Sequence, residues 1–159
     1  MLEIERKFLV SSNNYRQEAF KKLSFKQAYL NSHPNRSVRV RIAGEQAWLT
    51  VKGKSDAAGL SRFEWEKEIP VNEAEELLRL CEPGGIEKQR FFVKNGDLCF
   101  EVDEFFGDNQ GLILAEIELQ SPDQEFEKPA WLGDEVTGDK RYYNSQLSKN
   151  PFKNWKKQK

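Results

Sequence analysis

The chain has 159 residues, of which 25 are Lys or Arg and 26 are Asp or Glu, so its formal net charge is -1. Apolar residues make up only 38% of the chain and charged ones 32%, but 11 Phe, 4 Trp and 4 Tyr supply enough large aromatic surface for a folded core. The balanced charge argues against nucleic-acid binding through a positive excess, and no apolar run reaches the length of a membrane helix. The length predicts one domain over residues 1–159.

Alternation of apolar and polar residues with a period of two runs through the chain and predicts eight strands. The strands are expected at residues 2–10, 25–31, 36–44, 46–53, 60–70, 85–95, 97–106 and 111–120. A short helix is expected around 13–23, and a second over 72–81, with Asn72 as its N-cap and Pro83-Gly84-Gly85 as its end. A helix or loop through Phe126 and Trp131 follows the last strand.

The C-terminal residues 149–159 hold five Lys together with Phe152 and Trp155, and we expect a flexible, solvated tail there. Cys81 and Cys99 lie apart from any metal-type spacing, so two reduced thiols are expected. The first ten residues carry no basic segment followed by an apolar block, which predicts a cytoplasmic protein.

Eight antiparallel strands joined mostly by short turns favour a closed barrel, because closure leaves no strand edge exposed. A sandwich, or a large open sheet covered by helices, is the alternative. The predicted class is mainly β (α+β), with helices packed outside the barrel.

The charged residues are sorted by sign along the strands. Acidic sets at one-residue spacing are Glu3/Glu5, Glu64/Glu66/Glu68, Glu101/Asp103 and Glu116/Glu118; basic pairs are Arg39/Arg41 and Lys88/Arg90, with Lys7 and Lys52 alone. Such neighbours lie about 6–7 Å apart on one strand face, so like charges repel unless an opposite charge sits between them. A solvated outer face is one interpretation, but the sorting favours a charged barrel interior.

A charged interior of this kind has a definite chemistry. Carboxylates hold hard divalent cations such as Mg²⁺ or Mn²⁺, whereas Arg and Lys bind phosphate oxygens. A triphosphate chain bridged by metal satisfies both walls at once.

The ordered motifs resemble the CYTH superfamily, the triphosphate tunnel metalloenzymes. The resemblance begins with Glu3-Ile4-Glu5-Arg6-Lys7 and continues through Arg39/Arg41, Thr50/Lys52, Glu64/Glu66, Lys88/Arg90, Glu101/Asp103 and Glu116/Glu118 to the closing segment Val136–Tyr142. It implies an eight-stranded tunnel that hydrolyses a triphosphate with Mg²⁺ or Mn²⁺.

The resemblance also implies roles for single residues. The implied metal ligands or their close support are Glu3, Glu5, Asp103, Glu116 and Glu118, with Glu64, Glu66 and Glu101 supporting. The implied phosphate contacts are Arg39, Arg41, Lys52, Lys88, Arg90, Lys140 and Arg141. Lys7 and Tyr29 match the pair that activates the attacking water in short bacterial members.

The family includes several activities. Thiamine triphosphatases tend to carry Trp where this chain has Ser37, which argues against thiamine triphosphate and leaves inorganic tripolyphosphate as the simplest substrate. A class IV-type adenylate cyclase and a non-catalytic binder of polyphosphate or nucleotides remain alternatives. The expected partner is a small anionic substrate, without nucleic acid or membrane; a homodimer is compatible with the sequence, which identifies no interface.

Overall fold

Strands dominate the computed structural model, which describes residues 2–155 and contains nine of them within that range. The strands are β1 (Leu2–Val10), β2 (Lys21–Asn31), β3 (Arg36–Ala43), β4 (Gln46–Gly53), β5 (Ser61–Ile69), β6 (Ile86–Asn95), β7 (Leu98–Phe105), β8 (Ile113–Glu118) and β9 (Leu132–Glu135). The α-helices are α1 (Tyr15–Glu18), α2 (Val71–Arg79) and α3 (Asn144–Leu147). Single 3₁₀ turns lie at Gly107–Asn109, Lys140–Tyr142 and Phe152–Asn154. Within residues 2–155, no helix is long and apolar enough to cross a membrane.

Eight of the strands close into an antiparallel barrel, which confirms the predicted fold. Their order is β5-β4-β3-β2-β6-β7-β8-β1, and β1 returns to β5 with Glu3 opposite Arg62. The same edge of β1 pairs with β5 at Leu2–Ile4 and with β9 at Phe8 and Val10. Strand β9 is not among the predicted strands, because Leu132-Gly-Asp-Glu135 has too few residues for a period of two to show.

The ladder register places the charged residues of neighbouring strands on one shared face. Lys7 is paired with Glu116, and Arg90 with Asp103. Thr50 lies between Arg39 on β3 and Glu66 on β5. This shared face points into the barrel, so the expectation of a charged interior is confirmed.

The outward faces are apolar and are covered by the short helices and the loops. Tyr15 of α1 packs edge-on against Trp131, whose ring also contacts Phe100. On the opposite side, Ala74 of α2 packs on Val40 and Ala47.

One end of the barrel is filled by an apolar plug. Phe105 and Leu114 share the inner face with Asp103 and Glu116, and they pack against Tyr142, Leu147 and the partly buried Trp155 from the C-terminal segment. The charged interior is therefore covered by the C-terminal segment at this end.

Three local predictions differ from the structure. The predicted helix around 13–23 is confined to α1, because Lys21 and Leu23 pair with Phe92 and Arg90 of β6 and so extend β2. Helix α2 begins at Val71, one residue before the predicted N-cap Asn72. The predicted flexible tail is packed in its described part, where the Trp155 ring lies 5.1 Å from that of Tyr142; residues 156–159 lie outside the described chain.

The outer core makes a stability prediction. Trp131 is 1% exposed, so Trp131→Ala should lower the free energy of unfolding by about 3–5 kcal/mol. Trp65, which is 38% exposed on the outer face of β5, is the matched control, and Trp65→Ala should cost less than about 1 kcal/mol. Urea unfolding followed by far-UV circular dichroism measures both, and equal losses would contradict the packing described.

Candidate active site

The barrel encloses a cavity of about 190 Å³ that collects most of the predicted site residues. The predicted residues that line it are Glu3, Glu5, Lys7, Tyr29, Arg39, Arg41, Lys52, Glu64, Glu66, Arg90, Glu101, Glu116 and Glu118. They come from all eight barrel strands, so closure of the barrel is what brings them together.

One wall of the cavity is cationic and only partly neutralised. The Arg41 Nε donates to Gln27 Oε1 at 3.0 Å, and within residues 2–155 no carboxylate oxygen lies within 4.0 Å of its guanidinium. Burial lowers the pKa of Arg41 to about 9, and the neighbouring charges of Arg39 and Arg90 add to this shift. The Phe25 ring lies under Arg41 and Arg90, 4.8 and 4.6 Å from their guanidinium carbons. The positive charge of this wall is therefore not fully neutralised by the protein and can bind an anion.

The facing wall holds a first pair of carboxyl groups, Glu5 and Glu116. Burial raises the pKa of Glu5 to about 8, and the charge of Glu116 contributes to the same shift. Burial alone would raise the pKa of Glu116, but Lys7, Arg90 and Lys88 lower it well below its ordinary value. The two groups therefore share one proton, held on Glu5.

A second pair lies beside the first. Lys52 Nζ is 2.9 Å from Glu3 Oε1 and 3.5 Å from Glu64 Oε2, and the Arg62 Nε is 3.7 Å from Glu3. Burial raises the pKa of Glu64 to about 7, helped by its hydrogen bond with Glu3. This pair also retains a proton near neutral pH.

Carboxyl groups that keep a proton because they are buried and face another carboxyl group fit a divalent cation, whose charge can take the place of that proton. In the described residues, no three His, Cys, Asp or Glu side chains converge as a metal cluster. The fit is therefore to carboxylate pairs. Mg²⁺ is commonly held in this way, by one or two carboxylates together with water and phosphate oxygens.

Lys7 lies on the acidic wall, with its Nζ 3.3 Å from Glu116 Oε1 and donating to the Tyr142 carbonyl oxygen at 3.3 Å. Burial lowers the pKa of Lys7, but the charge of Glu116 raises it above its ordinary value. Lys7 is thus a cation in this arrangement. Tyr29, its predicted partner in activating water, is buried and lines the same cavity.

Two predicted site residues lie behind the cavity wall. The Arg90 Nε and one terminal nitrogen donate to the two Asp103 oxygens at 2.7 and 3.0 Å, and Lys88 Nζ lies 2.7 Å from Asp103 Oδ2. Neither Lys88 nor Asp103 lines the cavity. The Asp103 oxygens face Arg90 and Lys88, and burial lowers the pKa of Lys88 to about 7. This geometry supports a role for Asp103 in holding Arg90, while its expected role as a metal ligand stays a prediction.

Two more predicted phosphate contacts also fall outside the cavity. Arg141 is exposed and pairs with Asp139 at 2.7 Å, and Lys140 lines a separate pocket outside the barrel. Both lie in the 3₁₀ turn that precedes the part of the segment facing the cavity.

That part supplies lining residues that were not predicted from the sequence. Tyr143, Asn144 and Ser145 line the cavity, as do Ser37 and Arg62. Arg62 lies two residues before Glu64 on the charged face of β5, so its spacing indicates that it also lines the barrel interior. The closing segment has no strand periodicity, and nothing in its pattern tells which of its residues turn inward.

The fold and the cavity define a closed barrel whose interior presents opposed cationic and acidic walls to a small anion and a metal. The chain belongs to the CYTH domain family, which matches residues 1–150.

Its relatives include two curated proteins named inorganic triphosphatase. The one from Acetivibrio thermocellus is 50% identical over 155 residues, covering 97% of this chain and 97% of its own. The one from Nitrosomonas europaea is 39% identical over 154 residues, covering 93% and 97%. A crystal structure of an inorganic triphosphatase is similar with a TM-score of 0.62 and 36% identity, over 92% of this chain and 97% of that one.

The proton shared by Glu5 and Glu116 makes stability depend on pH. Because folding raises the pKa of Glu5 from 4.5 to about 8, the folded state binds the extra proton between these values and loses stability as pH rises through them. Glu5→Gln keeps a neutral hydrogen-bonding group there and should escape this loss. In metal-free buffer, the variant's melting temperature should exceed that of the wild type by a few degrees at pH 8.5 and match it at pH 5. A difference in melting temperature that stays constant with pH would contradict the assignment of the shared proton to Glu5.

Asp103 provides a second test, which separates support of Arg90 from metal binding. Asp103→Asn removes the charge that faces the buried Arg90 and Lys88 and should destabilise the fold by about 3–5 kcal/mol. The variant should retain the metal affinity of the wild type by isothermal titration calorimetry while its KM for substrate rises. Asp97→Asn, at an exposed position, is the control for stability. Loss of metal affinity with an unchanged KM would instead show that Asp103 binds the metal.

Proposed function

We propose that the chain hydrolyses a triphosphate inside the barrel, with inorganic tripolyphosphate as its main substrate and Mg²⁺ or Mn²⁺ as cofactor. The observation that carries the proposal is the half-buried Arg41 guanidinium, which has no carboxylate partner in the described chain and faces carboxyl pairs in which the pKa values of Glu5 and Glu64 are raised to about 8 and about 7. A polyphosphate and a divalent ion supply both missing charges. The names of the two curated relatives support the same activity.

The cationic wall binds and aligns the substrate in this proposal. Arg39, Arg41 and Arg90 present planar N–H pairs that match phosphate oxygens, and Lys52 reaches the cavity from β4. Phosphoryl transfer depends mainly on positioning and on neutralisation of charge, so these residues carry much of the catalysis.

The carboxyl groups of Glu5 and Glu116, with Glu3, Glu64 and Glu118 beside them, would hold the divalent ion. A bound divalent ion neutralises charge on the phosphate oxygens and lowers the pKa of bound water. Glu66 and Glu101, which lie 3.7 and 2.9 Å from Arg39 and Arg90, keep those guanidinium groups in place.

Lys7 and Tyr29 are proposed to act on the attacking water. Because Glu116 keeps Lys7 protonated, the role of Lys7 in this proposal is to donate a hydrogen bond and to place positive charge near the water or the attacked phosphate. Tyr29, buried on β2, offers a hydroxyl that can orient the same water.

The cavity is suited to inorganic tripolyphosphate because its lining residues are charged or carry hydroxyl or amide groups. Charge alone is enough to recognise such a substrate. A cytoplasmic location is part of the proposal and is supported by Cys81 and Cys99, which are both free thiols.

The activity is tested by phosphate release from tripolyphosphate, pyrophosphate, ATP and thiamine triphosphate, each with Mg²⁺ and with Mn²⁺. Tripolyphosphate should have the highest kcat/KM, and Arg41→Gln should raise its KM by about 10- to 100-fold with a smaller change in kcat. Arg36→Gln, at an exposed position outside the cavity, is the matched control.

Other outcomes identify the alternatives. Cyclic AMP as the main product from ATP would replace the proposal with a cyclase, and tight calorimetric binding without turnover under any condition would replace it with a binding module.

A further inference from the structure

The cations that line the cavity differ in the kind of group that holds them. Five of them have a carboxylate oxygen within 4.0 Å in the described chain: Lys7, Arg39, Lys52, Arg62 and Arg90. Arg41 has none within residues 2–155, and its Nε donates instead to the side-chain amide oxygen of Gln27 at 3.0 Å. In the described chain, a neutral side chain therefore holds the cavity cation that no carboxylate neutralises.

Strand β2 brings two residues against Arg41. Gln27 is directly opposite Arg41 in the ladder between β2 and β3, so both side chains are on the inner face. Phe25, two residues earlier on the same face, places its ring 4.8 Å from the Arg41 guanidinium carbon. The ring and the amide leave the two terminal nitrogens of Arg41 without a hydrogen bond inside residues 2–155, so their N–H groups remain for a ligand in the cavity.

The chemistry of the pair fixes the direction of the Gln27 amide. The Nε–H of arginine can only donate, so the amide oxygen must face it and the amide nitrogen must point away. Gln27 is 1% exposed, and among the described residues its Nε2 has no hydrogen-bond partner. A buried N–H group without a partner is unfavourable. A carboxylate here would avoid that unpaired donor and would pair with Arg41, so stability alone does not explain an amide at this position.

A carboxylate at this position would weaken the binding of an anion. Guanidinium groups bind phosphate oxygens through charge-assisted hydrogen bonds. A negative charge in the place of the Gln27 oxygen, 3.0 Å from Arg41 Nε, would neutralise the guanidinium and repel the phosphate. An amide oxygen accepts the same hydrogen bond without a net charge, so it orients Arg41 and leaves its positive charge available.

We propose that Gln27 is a positioning residue for phosphate binding, whose neutral amide fixes the direction of Arg41 and preserves the charge through which Arg41 binds the substrate. The inference rests on the proposed triphosphatase function, because it concerns the same site. It requires that a carboxylate at position 27 have opposite effects on two properties: the ligand-free protein keeps its stability, and the affinity for the anion falls.

The test is Gln27→Glu, which preserves the size and shape of the side chain. Its melting temperature without ligand should equal or exceed that of the wild type, because the new carboxylate pairs with Arg41. Its affinity for tripolyphosphate is measured by isothermal titration calorimetry without divalent metal, so that no hydrolysis occurs. The affinity should fall by about 10- to 100-fold, the size expected for the loss of one charged hydrogen-bonding partner. With Mg²⁺, KM should rise by a similar factor with a smaller change in kcat.

Two further variants separate charge from direction. Gln89→Glu adds the same charge on the outer face of the neighbouring strand β6, away from the cavity, and should retain the wild-type affinity. Gln27→Met removes the hydrogen bond but keeps the charge of Arg41, and should lower the affinity by only about three- to tenfold.

Three results would overturn the proposal. The first is wild-type affinity in Gln27→Glu, and the second is an equal loss of affinity in Gln27→Glu and Gln27→Met, since the neutrality of the amide would then have no effect. The third is a Gln27→Glu variant that melts below the wild type or does not fold, because the new carboxylate would then not be paired with Arg41. A wild type that binds tripolyphosphate without hydrolysing it would refute the proposed function, while the affinities of the variants still decide the role of Gln27.

Discussion

The organisation of this molecule depends on one constraint, the cost of keeping charges of both signs inside a barrel. A buried ion is tolerable only where an opposite charge or several hydrogen bonds compensate it. Asp103 meets this requirement within the protein, because Arg90 and Lys88 both contact it. Arg41 and Glu5 do not: burial shifts the pKa of each toward its neutral form. Burial also lowers the pKa of Lys88 to about 7, but Lys88 does not line the cavity. The uncompensated residues that do line it are the ones through which the protein can bind a charged ligand.

The same constraint reverses the usual placement of residues in a sheet: the charged face of each strand points inward and the apolar face outward. Since the inner face is polar, the apolar residues of each strand must be buried from the outside, and short elements between and after the strands do this. Tyr15 and Trp131 cover one side, and Ala74 of α2 packs on the other. The C-terminal segment has two duties, because Leu147 completes the apolar plug while Tyr143 faces the charged cavity. Stability and ligand binding therefore meet in this segment.

The sequence was sufficient to predict the barrel and most of its inner wall, because a period of two fixes which residues share a face and the sorting of charge indicates which face is interior. It could not separate Arg90 from Lys88, or Glu101 from Asp103, because the two members of each pair share a strand face and a sign of charge. Depth along the barrel decides between them: Lys88 is 0% exposed behind the cavity, whereas Arg90 reaches it. The inward turn of Tyr143, Asn144 and Ser145 depends on tertiary contacts such as that between Gly59 and Gly138, which no local pattern encodes. The raised pKa of Lys7 likewise results from how near Glu116 comes to it in space.

The central claim, that a polyphosphate and a divalent ion complete the charges of the barrel interior, is tested most directly by a crystal structure of the protein grown with tripolyphosphate and Mn²⁺. The account predicts phosphate density against Arg39 and Arg41, with an anomalous Mn²⁺ peak beside Glu5 and Glu116. Polyphosphate bound only on the exterior of the barrel, with the Glu5–Glu116 contact unchanged and the cavity filled by water, would contradict it.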